Sequence, residues 1–390
     1  MKLAGIICEY NPFHFGHIHQ IEATKAILGE DTAIVAVMSG DFTQRGEPAI
    51  FPARVRAAAA LEKADLVLEL PLSASLSSAE GFARGGVEVL KNIGAEFISF
   101  GSESGSVEAV EKVSRCLLSD EFTTVLKPEL EKGLPFAAAR QKAAERIIGD
   151  AAKILSDPND ILAVEYVKAV ISSGAAITPV AVKRVGAGHD SPEEQDEILS
   201  ASAIRDKILR GEEYSPCITA KAYEIYARAI SEGYGPVAFE KASQSLLYRL
   251  RTMSDEEYAC LPYAAEGLHL KLKKAAFECG SISELISAVK SKRYPESGIR
   301  RMLLRAWLGA APEGECGYIR VLGFNERGQA ALRQIAKTCP VPVITKPAAA
   351  RGLDGNAFEQ FQYRARAASL YALLTDRPEY TIWRETPIHP

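Results

Sequence analysis

The sequence predicts an α/β protein with a parallel-sheet first half and a mostly helical second half, and three observations carry that expectation. Short apolar runs alternate with helix-forming stretches over residues 1–105, the pattern of parallel strands joined by right-handed helical crossovers. Beyond Gly211 the alternation stops, and residues 217–310 read as consecutive helices. Between them lies the turn-forming Tyr214-Ser215-Pro216, so the chain divides as 1–215 and 216–390. A length of 390 residues is enough for two or three domains.

The expected strands of the first half are Leu3–Cys8, 32–38, Leu66–Leu70 and 96–100, with alanine-rich helix such as 53–64 between them. Residues 106–150 look helical, broken at Gly133-Leu134-Pro135, and form an insertion before a fifth strand at 177–182. Pro158 and Asn159 open an amphipathic helix ahead of that strand. Near the end, 316–346 reads strand, helix, strand (318–322, 328–336 and 341–345), and a terminal helix at 357–374 packs back on the body. Ligands of parallel sheets bind beyond the carboxyl ends of the strands. The polar segments that follow strands one, two, four and five should therefore meet at one rim.

The first of these carries the most chemistry. Ile7-Cys8-Glu9-Tyr10-Asn11-Pro12-Phe13-His14-Phe15-Gly16-His17-Ile18-His19-Gln20 runs from an apolar strand through an Asn-Pro turn into a helix, with His14-x-Gly16-His17 at the junction. Backbone N–H groups are unpaired at a helix start and the dipole favours negative charge, so phosphates bind there. Gly16 admits close backbone approach, and His14 and His17, one turn apart, can donate to phosphate oxygens as charge builds during attack at an α-phosphate. A metal site built from His14, His17 and His19 has no carboxylate or cysteine beside it at ligand spacing. The pattern resembles the HxGH signature of the nucleotidyltransferase and class I synthetase superfamily.

The other rim segments offer complementary groups. Gln44-Arg45-Gly46-Glu47 supplies an amide, a cation and a turn for a small carboxylate or an RNA backbone, or is a plain surface loop. Gly101 leaves room for an adenine or ribose, or is a simple turn glycine. Asn159 either caps its helix or faces the site, and Arg184 follows the fifth strand, where a guanidinium suits phosphate. Ser200-x-Ser202-x-x-Arg205 opens a helix. One hydroxyl is explained as an N-cap, but the segment is similar to the Ser-x-Thr-x-x-Arg form that the superfamily lays over a triphosphate.

Charge is distributed unevenly. The net charge is −4, yet residues 1–150 hold 15 Lys/Arg against 21 Asp/Glu, whereas 271–305 hold 9 against 3. A basic region attached to an acidic half suits a polyanionic partner bound away from the phosphate site. Its candidates are Lys292, Arg293 and the neighbouring ring of Tyr294, with Arg301 and Arg305 four residues apart and off the apolar face formed by Ile299, Leu303 and Trp307. The seven cysteines are scattered, without a Cys-x-x-Cys pair, and read as free thiols. No apolar run approaches the roughly 20 residues that span a bilayer, and the N-terminus lacks the layout of a secretion signal, so a cytoplasmic protein with no membrane or DNA partner is expected.

Taken in order, Glu9–His17, Ser39–Pro48, Ala64–Pro71, Phe100–Glu103, Asn159–Tyr166, Lys183–Gly188 and Lys292–Tyr294 resemble one family over nearly the whole chain, the bacterial tRNA(Met) cytidine acetate ligases. The resemblance implies a Rossmann-like nucleotidyltransferase domain at 1–215 and a mostly helical tRNA-binding domain at 216–390. It implies activation of acetate by ATP, with Mg2+, and acetylation of N4 of the wobble cytidine of elongator tRNA(Met). Carried over, residues 7–20 are the ATP loop, Gly101, Asn159 and Arg184 are further ATP contacts, and His14, His17 and Arg184 are catalytic. Two positions depart from the family pattern: His189 follows Gly188 directly, and Asp41 stands where Asn is common.

Overall fold

The computed structural model describes residues 1–184, 199–291 and 293–390. Val185-Gly186-Ala187-Gly188, His189 and Lys292 lie outside the described residues. The first half runs β1 (Leu3–Cys8), α1 (Phe15–Leu28), β2 (Ala33–Ser39), α2 (Ala53–Ala60), β3 (Leu66–Leu70), α3 (Leu72–Ser75), α4 (Ala79–Asn92) and β4 (Phe97–Ser102). The helices α5 (Val107–Leu117), α6 (Asp120–Glu131), α7 (Phe136–Ile148) and α8 (Pro158–Ser173) precede β5 (Thr178–Lys183) and α9 (Ala201–Arg210). Then come α10 (Ala220–Ser231), α11 (Ser243–Thr252), α12 (Asp255–Ala259), α13 (Leu268–Glu278), α14 (Ile282–Val289) and α15 (Glu296–Leu308). The chain closes with β6 (Ile319–Phe324), α16 (Glu326–Thr338), β7 (Val343–Ile344) and α17 (Gly355–Ala372).

The strands form one sheet in the order β5-β4-β1-β2-β3-β6-β7. From β5 to β3 every pairing is parallel. Successive residues of β1 serve opposite faces: Leu3 and Ile7 join the core under α4, α5 and α8, whereas Ala4, Ile6 and Cys8 join the core under α1, α2, α9 and α10. Burial on both faces is why β1 and β2 read as nearly unbroken apolar runs. The chain steps outward from β1 to β3 and returns to β4 on the other side of β1, which opens a crevice at the carboxyl ends of β1 and β4.

The expected strand-helix-strand at 316–346 is present as β6, α16 and β7, but it does not form a separate piece of the second half. β6 pairs antiparallel with β3, with an irregularity at Val67/Leu68, and extends the first sheet. The sheet therefore runs across the expected boundary at 215/216. Residues 243–308 build their own helical core, which also takes in Phe42, Leu72 and Leu76 from the first half and Tyr363 and Tyr371 from α17. No helix of the described residues is long and apolar enough to cross a membrane.

Candidate active site

The histidine turn closes a reciprocal cap at the start of α1. His14 is the N-cap: its Nδ1 accepts from Gly16 N at 3.0 Å, while His17 Nδ1 accepts from His14 N at 3.2 Å. Because both Nδ1 atoms accept, the proton of each neutral ring resides on Nε2, and Nε2–H is the donor left for a ligand. The rings lie 3.9 Å apart, centroid to centroid. Burial, and then the charge of Arg184, push His14 down to about 4, and burial with His14 and Arg184 holds His17 well below the ordinary imidazole range. The pair is therefore neutral at physiological pH, a form that donates to phosphate without carrying a proton to be lost.

That assignment is testable by NMR. In the free protein His14 should titrate near 4 instead of 6.5. Since its folded value is depressed, the stability it contributes is full above 6.5 and is lost as pH falls from there toward 4. ATP, whose phosphates favour an imidazolium, should move the midpoint upward.

The turn is held from four sides. Phe13 N donates to the Tyr226 hydroxyl (2.9 Å), Ile50 N donates to Asn11 Oδ1 (2.9 Å) and Arg205 Nη1 donates to Asn11 O (2.8 Å). The fully buried Arg56 donates to the carbonyls of Glu9, Ser39, Gly40 and Phe51, joining the loop after β1 to the loop after β2. Tyr10 takes a left-handed φ of +44°, an unusual backbone for a bulky residue, and is buried. The site is thus fixed before any ligand arrives, which is what stabilisation of developing charge requires.

Three expected residues from β4, α8 and β5 converge beside it. Arg184 Nη1 donates to Asn159 Oδ1 (3.1 Å), and a Cβ added at Gly101 would lie 3.4 Å from Arg184 Cγ. Asn159 Nδ2 donates to Glu103 Oε1 (2.5 Å), whose other oxygen accepts from Asp160 N (2.9 Å). Glu103 therefore sets the orientation of Asn159. On α9, Ser200 is the N-cap and Arg205 Nη2 donates to Ser202 Oγ at 3.4 Å, so Arg205, which also donates to Asn11 O, ties the start of this helix to the histidine turn.

Several other residues of the loop also make contacts within the protein. His19 Nε2 lies 3.3 Å from Lys183 O, and Gln20 Nε2 donates to Ser99 O (3.2 Å), so both tie α1 to β4 and β5. Ile7, Cys8 and Ile18 are core residues, Pro12 and Phe13 are buried, and Phe15 is exposed. Asp41 accepts from Ala53 N (2.7 Å) and pairs with Arg364 (2.8 Å), an anchoring role. Sequence reasoning passed over Arg56, Glu103, Tyr226 and Arg364. Only Glu103 lay in a segment singled out for the site; Arg56, Tyr226 and Arg364 lay in stretches read simply as helix.

The basic region also differs from its linear count. Arg301 and Arg305 do not lie on a solvated face: each is half-buried, donating to Gln44 O (2.8 Å) and Leu76 O (3.3 Å). Arg300 pairs with Glu47 and Glu296, Lys273 with Asp255, and Arg293 with Glu266 (2.7 Å). Gly46 has φ +80°, and a Cβ there would come within 2.5 Å of Arg301 N. Gly46→Ala should therefore push the 44–47 loop off α15 and destabilise the protein by about 1–3 kcal/mol in urea unfolding.

With this geometry in place, comparison with other proteins is informative. The profile of the HIGH nucleotidyl transferase family matches residues 1–384. A tRNA(Met) cytidine acetate ligase of Thermoanaerobacter sp. (strain X514) is 41% identical over 362 residues, 89% of either chain. The enzyme of that name from Clostridium acetobutylicum is 35% identical over 397 residues, 96% of either chain. The crystal structure of Thermotoga maritima TmcAL bound with alpha-thio ATP superposes with a TM-score of 0.93 at 32% identity, covering 100% of this chain and 99% of that one. The chain belongs to the HIGH nucleotidyl transferase family, within its tRNA(Met) cytidine acetate ligase branch.

Proposed function

We propose that this chain joins acetate to ATP and transfers the acetyl group to N4 of the wobble cytidine of elongator tRNA(Met) in the cytoplasm. The observation that carries the reading is the neutral His14–His17 pair beside Arg184 at the β1/β4 crevice, in a chain whose relatives bear that enzyme name. An acetate oxygen attacks the α-phosphate, pyrophosphate leaves and acetyl-adenylate forms. The N4 amine then attacks the acyl carbon, loses a proton and releases AMP. No covalent enzyme nucleophile is needed, so positioning and charge neutralisation carry the first step.

Each residue then has a task. The Nε2–H groups of His14 and His17 donate to phosphate oxygens, and Arg184, oriented by Asn159, neutralises the charge that builds there. Gly101 leaves the adenosine side open, while Ser202 and Arg205 face the triphosphate across the turn. Mg2+ would supply further charge neutralisation; among the described residues no cluster of three or more His, Cys, Asp or Glu would hold it, so its hard oxygen ligands would come from the triphosphate. The second half holds tRNA, with Lys292, Arg293, Arg301 and Arg305 assigned to its phosphates. The two arginines of α15 also tether the rim loops, so Arg293 is the cleaner probe. Arg293→Ser should weaken tRNA binding and reduce its salt slope by about 1.

Incubation with ATP, radiolabelled acetate and total tRNA, followed by nucleoside analysis, tests the whole reading. Label in N4-acetylcytidine supports it. Unlabelled tRNA together with a stable adenylylated small molecule would identify a small-molecule adenylyltransferase instead.

A further inference from the structure

Beside the rim, a cavity of about 480 Å3 lies between α4, α8 and the start of α15. It has the volume of a small-molecule or nucleotide site, and its lining combines apolar surface with six charged side chains. Arg84, Lys168, Arg301 and Arg305 line it against two carboxylates, Glu80 and Glu165. Lys168 pairs with Glu80 at 3.3 Å and Glu165 at 2.7 Å, and Arg140, outside the lining, also pairs with Glu165 at 3.1 Å, so both carboxylates are matched and the three lining guanidiniums set the field. The N-terminus of α4, with Ser77 and Ser78, opens into the same space and adds a preference for anions.

One aromatic ring is held at this cavity by an unusual backbone. Tyr263 has φ +63°, in the left-handed region that bulky residues rarely adopt, and it is half-buried in the lining. Its ring lies along α15 where Gly298 leaves room: a Cβ there would come 3.0 Å from the Tyr263 hydroxyl oxygen and 3.5 Å from Cζ. On its flank stands Tyr294, 5.8 Å away between centroids, with the Arg293 guanidinium 5.7 Å above the Tyr294 ring. An aromatic platform beside guanidiniums is the chemistry that receives an unpaired base with its phosphate.

The cavity also abuts the reaction site. Gln44 N donates to Glu9 Oε1 (2.6 Å) at the histidine loop, and the Gln44 side chain donates to Ser77 O (3.4 Å) in the cavity wall. Arg301 closes the link on Gln44 O. In the other direction the cavity continues into a chamber of about 1330 Å3, whose lining includes Glu88, Glu256, Glu257, Glu313 and Glu315. The same chamber is lined by Arg84, Lys91, Arg249 and Arg305, so carboxylates outnumber cations there by one, whereas cations outnumber carboxylates at the end nearest the histidines.

We infer that this cavity seats an unpaired nucleotide of the RNA substrate, with Tyr263 stacking on its base and Arg84, Arg301 and Arg305 receiving its phosphate. The inference rests on the ligase reading and names the surface by which that reaction would draw its base to the adenylate. Stacking is insensitive to salt whereas a phosphate contact is not, and this separates the two roles.

The test measures binding of an unmodified elongator tRNA(Met) transcript by fluorescence anisotropy over a salt titration. Tyr263→Leu keeps bulk but removes the ring, and should weaken binding about tenfold at every salt concentration with the slope unchanged. Tyr263→Phe keeps the ring and should bind like the wild type. Arg84 is exposed on α4, so Arg84→Gln should fold normally and should lower both the affinity and the salt slope, the latter by about 1. The losses should register in KM for tRNA and not in KM for ATP. If Tyr263→Leu fails to fold, the Arg84→Gln slope decides alone. Wild-type affinity and slope in both Tyr263→Leu and Arg84→Gln, in a protein that acetylates the transcript, would overturn the inference while sparing the ligase reading. A wild-type protein that neither binds nor acetylates the transcript would remove both.

Discussion

Replacing His17 with asparagine is expected to lower acetate-dependent exchange of labelled pyrophosphate into ATP by about a hundred- to a thousandfold, the loss typical of one preorganised donor. The same substitution should leave the fold nearly as stable as before. An asparagine side chain reaches as far as the imidazole Nδ1, so its oxygen can still accept from His14 N and keep the cap. It has no atom where Nε2–H stands. His17→Ala removes cap and donor together and should cost an additional stability of about 1 kcal/mol. Equal exchange rates in His17→Asn and the wild type would place the α-phosphate away from this turn.

The largest effect on stability is expected from Arg364→Met. Glu69 is buried between Arg320 Nη1 (2.9 Å) and Arg364 Nε (2.6 Å), Arg364 also pairs with Asp41, and Arg320 continues to Glu385. Burial by itself raises a carboxyl pKa, but the two guanidiniums outweigh it and hold Glu69 below its ordinary value. Removing one member of such a group leaves buried charge uncompensated and should cost about 3–5 kcal/mol. In the wild type the Glu69 contribution is present above the ordinary carboxylate range and is lost as pH falls through its lowered folded value. Without Arg364 that order reverses: a less compensated Glu69 prefers its proton, so the deficit should be greatest at neutral pH and shrink on acidification. Urea midpoints of both proteins between pH 4 and 8 read this directly. A deficit independent of pH would show that packing, and not charge, is what Arg364 provides.

This network explains part of what the sequence leaves hidden. Its members come from the loop after β2, from β3, β6 and α17, and from Glu385 after them, so no short window of sequence contains two of them. By contrast β1 begins and ends where its apolar run does, because both its faces are buried, and β3 does so with Glu69 as its single polar member. β6 was legible as a strand, but its antiparallel place beside β3 was not, since the pairing spans about 250 residues and leaves no local mark. The same distinction holds at the site. His14, Gly16 and His17 form a local turn and could be read from spacing, whereas Gly101, Asn159 and Arg184 were separate readings of strand ends and a helix start, strengthened by family likeness, and meet only through β4, α8 and β5. Arg56 looked like an ordinary helix residue until its four carbonyl partners were visible. The net charge of 271–305 overstates its field, because Asp255, Glu266 and Glu47, brought from elsewhere, pair with Lys273, Arg293 and Arg300.

The central claim is that acetate itself attacks the α-phosphate at the histidine turn and that its acyl group then moves to the cytidine amine. The bridging oxygen of the acetyl-adenylate would then derive from acetate and depart with AMP. Acetate carrying 18O at both carboxylate oxygens should therefore yield AMP with one 18O for each N4-acetylcytidine formed, read by mass spectrometry of a reaction with ATP and elongator tRNA(Met). AMP free of 18O alongside acetylated tRNA would contradict the account, because the acetate oxygen would never have been bonded to the α-phosphorus.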